Sequence, residues 1–285
     1  MDDYVDISTQ EGFENDLTSE GFTLKLRFSE TSFEITFTCV IFTIASFGCI
    51  GNLVTIGKIV HDPKYHTPTF AAIGVLALAD FVSVTTLTFD AMTNFWKFLP
   101  SFSVVGDIVQ LSSYFHLCLL SAVRYLITVY PLQSRQYLTA TAVCLCSLTI
   151  WIVTVVAILG LRYTSKTLPE KNVVAIYLTV NVFMLLIVCS IMALLHVKKI
   201  RTLQNSLSVT EQSQRRMNIV VTVIIIIFVL YQLSIIAINI TIIFLYQQFS
   251  AELYYHRVNI EYYYVFTGCI NFSCNPYILF LSQFL

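Results

Sequence analysis

Apolar residues in this chain gather into seven long runs, and polar residues gather in the short segments between them. The runs cover residues 33–59, 69–92, 104–130, 138–161, 173–197, 218–245 and 262–282. Each reaches the length of about 20 residues that a helix needs to cross the hydrocarbon of a bilayer. Barrel strands would be nearer 10 residues and would alternate polar with apolar positions. The pattern therefore predicts an all-α membrane protein, a seven-transmembrane helix bundle. Turn signals mark the connections, as in HDPKYHTP after the first run and TSKTLPEKN after the fourth. No internal repeat is visible.

Composition supports this solvent assignment. Of 285 residues, 56% are hydrophobic and 12% charged, whereas soluble domains carry about 25% charged residues. Membrane lipids are the expected surroundings, and no nucleic-acid partner is expected. Residues 1–32 are polar and acidic, with Asp2, Asp3, Asp6, Glu11, Glu14, Asp16 and Glu20 against Lys25 and Arg27. They read as an extracellular disordered tail. With no short apolar segment and basic flank ahead of them, no cleavable signal peptide is expected, and the first run is expected to start insertion. Residues 33–282 are expected to form the membrane domain and 283–285 a residual cytosolic C-terminus; the sequence shows no eighth amphipathic helix or modifiable tail, so either the chain is truncated or its regulation differs.

Lys and Arg in short loops set orientation. With the N-terminus outside, nine fall on the cytosolic side (Lys58, Lys64, Arg124, Arg135, Lys198, Lys199, Arg201, Arg215, Arg216) and five outside (Lys97, Arg162, Lys166, Lys171, Arg257). All eight cysteines lie inside the runs and read as packing residues without metal-ligand spacing.

An ionisable group at the bilayer centre costs about 2.5–3.5 kcal/mol on insertion scales and needs a partner. Asp80, in LALAD, lies midway along the second run, and comparable depths elsewhere hold Asn52, Ser113, Asn271 and Asn275. Asn271 and Asn275 are four residues apart and share a helix face, and Pro276 should kink that helix. Two readings stay open for these oxygens around one carboxylate: interhelical polar bonding and a small hydrated cation, sodium being the natural candidate. Arg124, in SAVRYLITVYPL, lies toward the cytosolic end of its run and can reach water by snorkelling. Pro131 then ends or bends the helix.

Together these residues resemble the rhodopsin-family (class A) G-protein-coupled receptors over nearly the whole chain. The ordered features are Gly51-Asn52 in the first run, LALAD in the second, Arg124-Tyr125 with Pro131-Leu132 closing the third, Trp151 in the fourth, and Asn271 with Asn275-Pro276 in the last. The resemblance implies an extracellular ligand and a heterotrimeric G protein as partners. It implies G-protein contacts at Arg124, Tyr125, Pro131, Leu132, Lys198, Lys199, Arg215 and Arg216. It also implies a sodium site at Asp80, Ser113, Asn271 and Asn275, and structural roles for Asn52, Trp151, Phe228 and Pro276.

The chain departs from the family at several switch positions. Val123 replaces the acid beside the arginine, so the ion pair that restrains Arg124 at rest is missing. In FVLYQLS only Phe228 matches, with Gln232 for the tryptophan and Ser234 for the kink proline. Leu279 stands where a tyrosine is expected, and Tyr277 falls two residues early. Leu99 replaces one cysteine of the usual outer disulfide, and residues 162–172 lack the other.

Amine receptors carry an aspartate eighteen residues before the arginine, where this chain has Gly106. Asp107 is one residue on, rotated by about 100° around the helix. A cationic ligand group could still meet Asp90, Asp107 or Glu261. With Gln110, Tyr114, Asn181, Gln232, Asn239 and Tyr264, these residues outline a polar and aromatic pocket for a peptide or small molecule. The tyrosines read equally as an interfacial belt. The absence of any lysine after Lys199 excludes a retinal Schiff base. Neither the chemistry of an enzyme nor the paired broken helices of a transporter is visible. A receptor fold that binds without driving a G protein is the principal alternative.

Overall fold

The structure, a computed structural model, describes residues 8–96, 103–166, 170–204, 211–248 and 253–281, and within them the side chains of 35–92, 104–164, 166, 176, 179–202, 222–241 and 262–278. Two compact units are distinguished, Met1–Val40 and Ile41–Leu285. The packing and sites that follow belong to the second.

The helices are α1 (Ser8–His61), α2 (Pro68–Trp96), α3 (Ser103–Val129), α4 (Pro131–Tyr137), α5 (Ala140–Ser165), α6 (Glu170–Gln204), α7 (Glu211–Gln248) and α8 (Leu253–Leu281). No strand occurs among the described residues. Seven of these helices match the seven apolar runs. Over the described residues, six are long and apolar enough to cross a membrane. Helix α8 has described side chains only at 262–278, which is shorter than one such span.

Local signals explain the boundaries. Thr139 caps α5 by accepting from the Ala142 amide at 3.1 Å. Pro131 occupies the first turn of the seven-residue α4, where its missing N–H breaks no helical bond. The expected stop after the third run is therefore real, but it opens a short helix that the apolar pattern did not predict. Helix α1 extends back to Ser8, into the segment expected to be disordered. That segment contains no proline, so no residue in it forbids helical backbone. Helix α8 is continuous through Pro276.

Helix α3 is central, packing against α2, α4, α5 and α6, while α8 packs against α2 and α7. The radial arrangement is that of a protein dissolved in lipid. Asn52, Asp80, Ser113, His116, Gln232 and Asn275 are buried, whereas Phe47, Leu145, Ile152, Val156, Phe183 and Leu230 are exposed. In water such an outer surface would drive association; against acyl chains it is neutral, and the polar groups must be satisfied inside.

Helices α1 and α8 approach at two glycines. A Cβ on Gly48 would lie 2.0 Å from Ser273 Oγ, and one on Gly51 would lie 2.9 Å from Pro276 Cγ. Asn52 secures the contact by donating through Nδ2 to the Phe272 carbonyl at 3.1 Å, and Tyr277 donates to the Phe47 carbonyl at 2.7 Å. The early tyrosine thus faces α1. Gly48→Ala should lower unfolding stability by about 1–3 kcal/mol through overpacking, measured by thermal denaturation in detergent. Gly57, with nothing within 4 Å of an added Cβ, should tolerate the same change; equal losses at both positions would contradict the close-approach assignment.

Candidate functional site

Three polar centres bridge the helices. In the first, Asp80 on α2 is fully buried. Its Oδ1 accepts from Ser113 Oγ on α3 at 2.5 Å, and its Oδ2 accepts from Asn275 Nδ2 on α8 at 2.6 Å. No lysine or arginine among the described residues lies within ion-pair distance of this carboxylate. Asn271 is buried on α8, but no hydrogen bond joins it to Asp80. Asn52 Oδ1 is buried on α1 without a hydrogen-bond partner. One carboxylate with hydroxyl and amide oxygens, and no sulfur or imidazole, suits a hard cation. No cluster of three or more His, Cys, Asp or Glu that could hold a metal occurs among the described residues.

In the second centre, His116 Nδ1 lies 2.6 Å from the Ser112 carbonyl and Nε2 lies 2.7 Å from Ser147 Oγ on α5. A carbonyl only accepts, so Nδ1 carries the proton. In a neutral ring Nε2 then accepts a hydrogen bond from the Ser147 hydroxyl. Trp151 packs on the imidazole with ring centroids 5.9 Å apart, which gives that tryptophan its structural position. Neither His116 nor Ser147 stood out in the sequence.

The third centre is Gln110 on α3. Its amide nitrogen donates to Tyr114 at 2.6 Å and to Tyr231 on α7, while Tyr264 on α8 donates to Oε1 at 2.6 Å. Tyr114 in turn meets Phe228 edge-on at 5.0 Å, and Tyr231 meets Phe272 at 5.8 Å. Gln232 is buried close to the Tyr114 hydroxyl, and Ser234 bonds back to the Leu230 carbonyl at 2.9 Å. A hydrogen-bonded amide and three phenols thus occupy the region where the sequence lacks the family's tryptophan and proline.

Beside this network lies a cavity of about 380 Å³ between α3, α5, α6, α7 and α8. Six residues expected in the pocket line it: Asp107, Gln110, Tyr114, Asn181, Asn239 and Tyr264. Of the other three expected residues, two do not line it and one lies outside the described side chains. Gln232 is turned into the packed interior, Asp90 lies on α2 with its Oδ2 only 3.4 Å from a Cβ built on Gly106, and the Glu261 side chain lies outside the described residues. The sequence missed Arg162, which it places in an outer loop; α5 runs to Ser165, and Arg162 donates to Asp107 Oδ2 at 2.7 Å.

At the opposite end of α3, Arg124 has a buried Nε without a hydrogen-bond partner, and no described carboxylate pairs with it. Val123 beside it is buried. Lys199 on α6 is also buried and close enough for its charge to oppose that of Arg124, so it is more than a surface anchor. Lys198 is exposed. Tyr125 packs edge-on against Tyr130 at 6.0 Å, and Leu132, behind Pro131, is 82% exposed. The Arg215 and Arg216 side chains and the Leu99 and Leu279 positions lie outside the described side chains. All eight cysteines are free.

Residues 51–279 match the family model described as 7 transmembrane receptor (rhodopsin family). Human trace amine-associated receptor 9 is 30% identical over 137 residues, which is 44% of this chain and 39% of the relative. Mouse trace amine-associated receptor 9 is 32% identical over 128 residues, 42% and 37% of the two chains, and rat trace amine-associated receptor 7b is 29% identical over 140 residues, 44% and 38%. The chain thus matches less than half the length of these curated relatives. The family match, by contrast, covers most of its helices, and the chain belongs to the rhodopsin family of seven-transmembrane receptors.

Removing the Gln110 amide should expose the dependence of three phenols on one side chain. Gln110→Leu is expected to destabilise the protein by about 1–3 kcal/mol, and Tyr264→Phe by less. In a double-mutant cycle read by thermal denaturation the two losses should be non-additive by at least about 0.5 kcal/mol; strict additivity would mean that the bond is not formed in the membrane.

Proposed function

We propose that this member of the rhodopsin family is a G-protein-coupled receptor of the plasma membrane, with its N-terminus outside, that binds a small extracellular ligand and activates a heterotrimeric G protein. The supporting observation is the course of α3. One helix carries Asp107, Gln110 and Tyr114 at the cavity and Arg124 at the far end, so a change in packing at one end can be transmitted along a rigid element. A volume of about 380 Å³ suits a small molecule better than an extended peptide. Arg124, Tyr125, Lys198, Lys199, Arg215, Arg216 and the exposed Leu132 would meet the G protein, with Pro131 setting the direction of the chain there.

Asp80, Ser113, Asn271 and Asn275 would hold a sodium ion that favours the resting bundle. The ion would supply positive charge for a carboxylate that has no cationic side chain beside it, and its loss would accompany activation. The relatives named above carry trace amines in their names. In this chain an amine would meet Asp107 rather than an acid at Gly106, and Asp107 already faces Arg162. A second reading, ligand binding without G-protein activation, is favoured by Val123, Gln232 and Ser234 at switch positions.

Basal nucleotide exchange on purified G proteins, in liposomes containing the receptor, tests these assignments without a known ligand. The wild type should accelerate exchange for at least one G-protein class, and Arg124→Ala should reduce that acceleration at least tenfold. Val123→Asp should lower it several-fold by giving Arg124 an adjacent carboxylate. Sodium should suppress basal exchange relative to a larger organic cation, and Asp80→Asn should abolish the difference. No exchange with any class would favour the second reading, and a sodium response surviving in Asp80→Asn would refute the ion assignment.

A further inference from the structure

We propose that the cavity is built for a small zwitterion, an amino acid or a similar compound carrying both an ammonium and a carboxylate around an apolar body. The inference rests on reading the cavity as the ligand site and specifies the charge of what enters it. Its basis is the Asp107–Arg162 pair. The two side chains meet at 2.7 Å across α3 and α5, both are only about one-third exposed, at 28% and 34%, and both line the cavity.

A ligand with a single charge fits this pair poorly. An amine that takes Asp107 competes with a guanidinium already bonded there and leaves Arg162 less well paired in a partly desolvated site, which is costly. A lone carboxylate that takes Arg162 does the same to Asp107. A zwitterion avoids both losses. Its ammonium replaces Arg162 at the Asp107 carboxylate and its carboxylate replaces Asp107 at the guanidinium, so each protein charge exchanges one charge-assisted bond for another.

The remaining lining suits the rest of such a molecule. Leu111, Ile158, Met184 and Ile235 provide an apolar wall, while Asn181 and Asn239 add polar groups on α6 and α7. Gln110 and Tyr264 belong both to the lining and to the network that joins α3, α7 and α8. A ligand that draws on Asp107, one turn before Gln110, therefore acts close to the bonds that hold those helices together. Gly106 leaves the preceding position without a side chain, and the acid that remains is matched to a base.

The test uses three probes that share one apolar body and differ only in charge: L-phenylalanine, phenethylamine and 3-phenylpropanoate. Binding to the purified receptor chain is read by thermal shift and by displacement of radiolabelled L-phenylalanine, without G protein. L-Phenylalanine should bind at least tenfold more tightly than either relative. Arg162→Gln should shift the preference toward the amine, and Asp107→Asn toward the carboxylate, each variant being checked for folding by its melting temperature. Equal or tighter binding of a singly charged probe to the wild type would overturn the proposal, as would binding of none of the three or an unchanged preference in both variants. If phenethylamine alone binds and is lost in Asp107→Asn, the cavity remains the ligand site and only the zwitterion assignment fails. Nucleotide exchange, measured separately, reports on signalling independently of this result.

Discussion

The constraint on which the structure depends is that a polar side chain in hydrocarbon has no water to bond and must find its partner on another helix. This chain satisfies the constraint with a few polar residues directed inward from an apolar exterior. Asp80 joins α2 to α3 and α8, His116 joins α3 to α5, and Gln110 joins α3 to α7 and α8. Between lipid-matched surfaces apolar packing has little net driving force, so these bonds and the close α1–α8 approach at Gly48 and Gly51 select one arrangement of helices.

Helix α3 contributes to all three centres, which explains why a receptor can be altered at several switch positions and keep a connected interior. Gln232 and Ser234 remove an aromatic lever and a proline kink from α7. In their place Tyr231 binds Gln110, and the Ser234 hydroxyl bonds within its own helix. At the Arg124 end of α3 Val123 provides no counter-charge, and Arg124 lies near Lys199 rather than near an acid. Repulsion between two cations there favours separation of α3 and α6, whereas the usual ion pair would hold Arg124 in place. The described interior is therefore held by the bonds of the three centres and not by an ion pair at Arg124.

Much of this was legible in the sequence because membrane solvation leaves a strong signal. Runs of about twenty apolar residues revealed the seven helices, and isolated polar residues within them revealed Asp80, Ser113 and Asn275 as a group. The same reasoning reached six residues that line the cavity, Asp107 and Gln110 among them. What escaped it depended on rotation and length, which composition does not encode. Arg162 looked like a loop charge because the end of α5 could not be read to within a turn, and that one turn brings it to Asp107. His116 looked like any polar residue in a span, since only the facing Ser147 shows its role. Gln232 seemed to face the pocket because neighbouring positions on a helix differ by about 100°, and its neighbour Tyr231 makes the bond to Gln110 instead. The short helix α4 carried no apolar periodicity and was visible only through Pro131.

The central claim is that the inner end of this bundle receives a G protein. It is tested most directly by asking whether the receptor, reconstituted in lipid nanodiscs, forms a complex with a nucleotide-free heterotrimer that survives size-exclusion chromatography. A complex with at least one G-protein class is expected, dissociating on adding a non-hydrolysable GTP analogue and weakened by Leu132→Asp. Absence of a complex with every class, or a complex indifferent to the nucleotide, would contradict it.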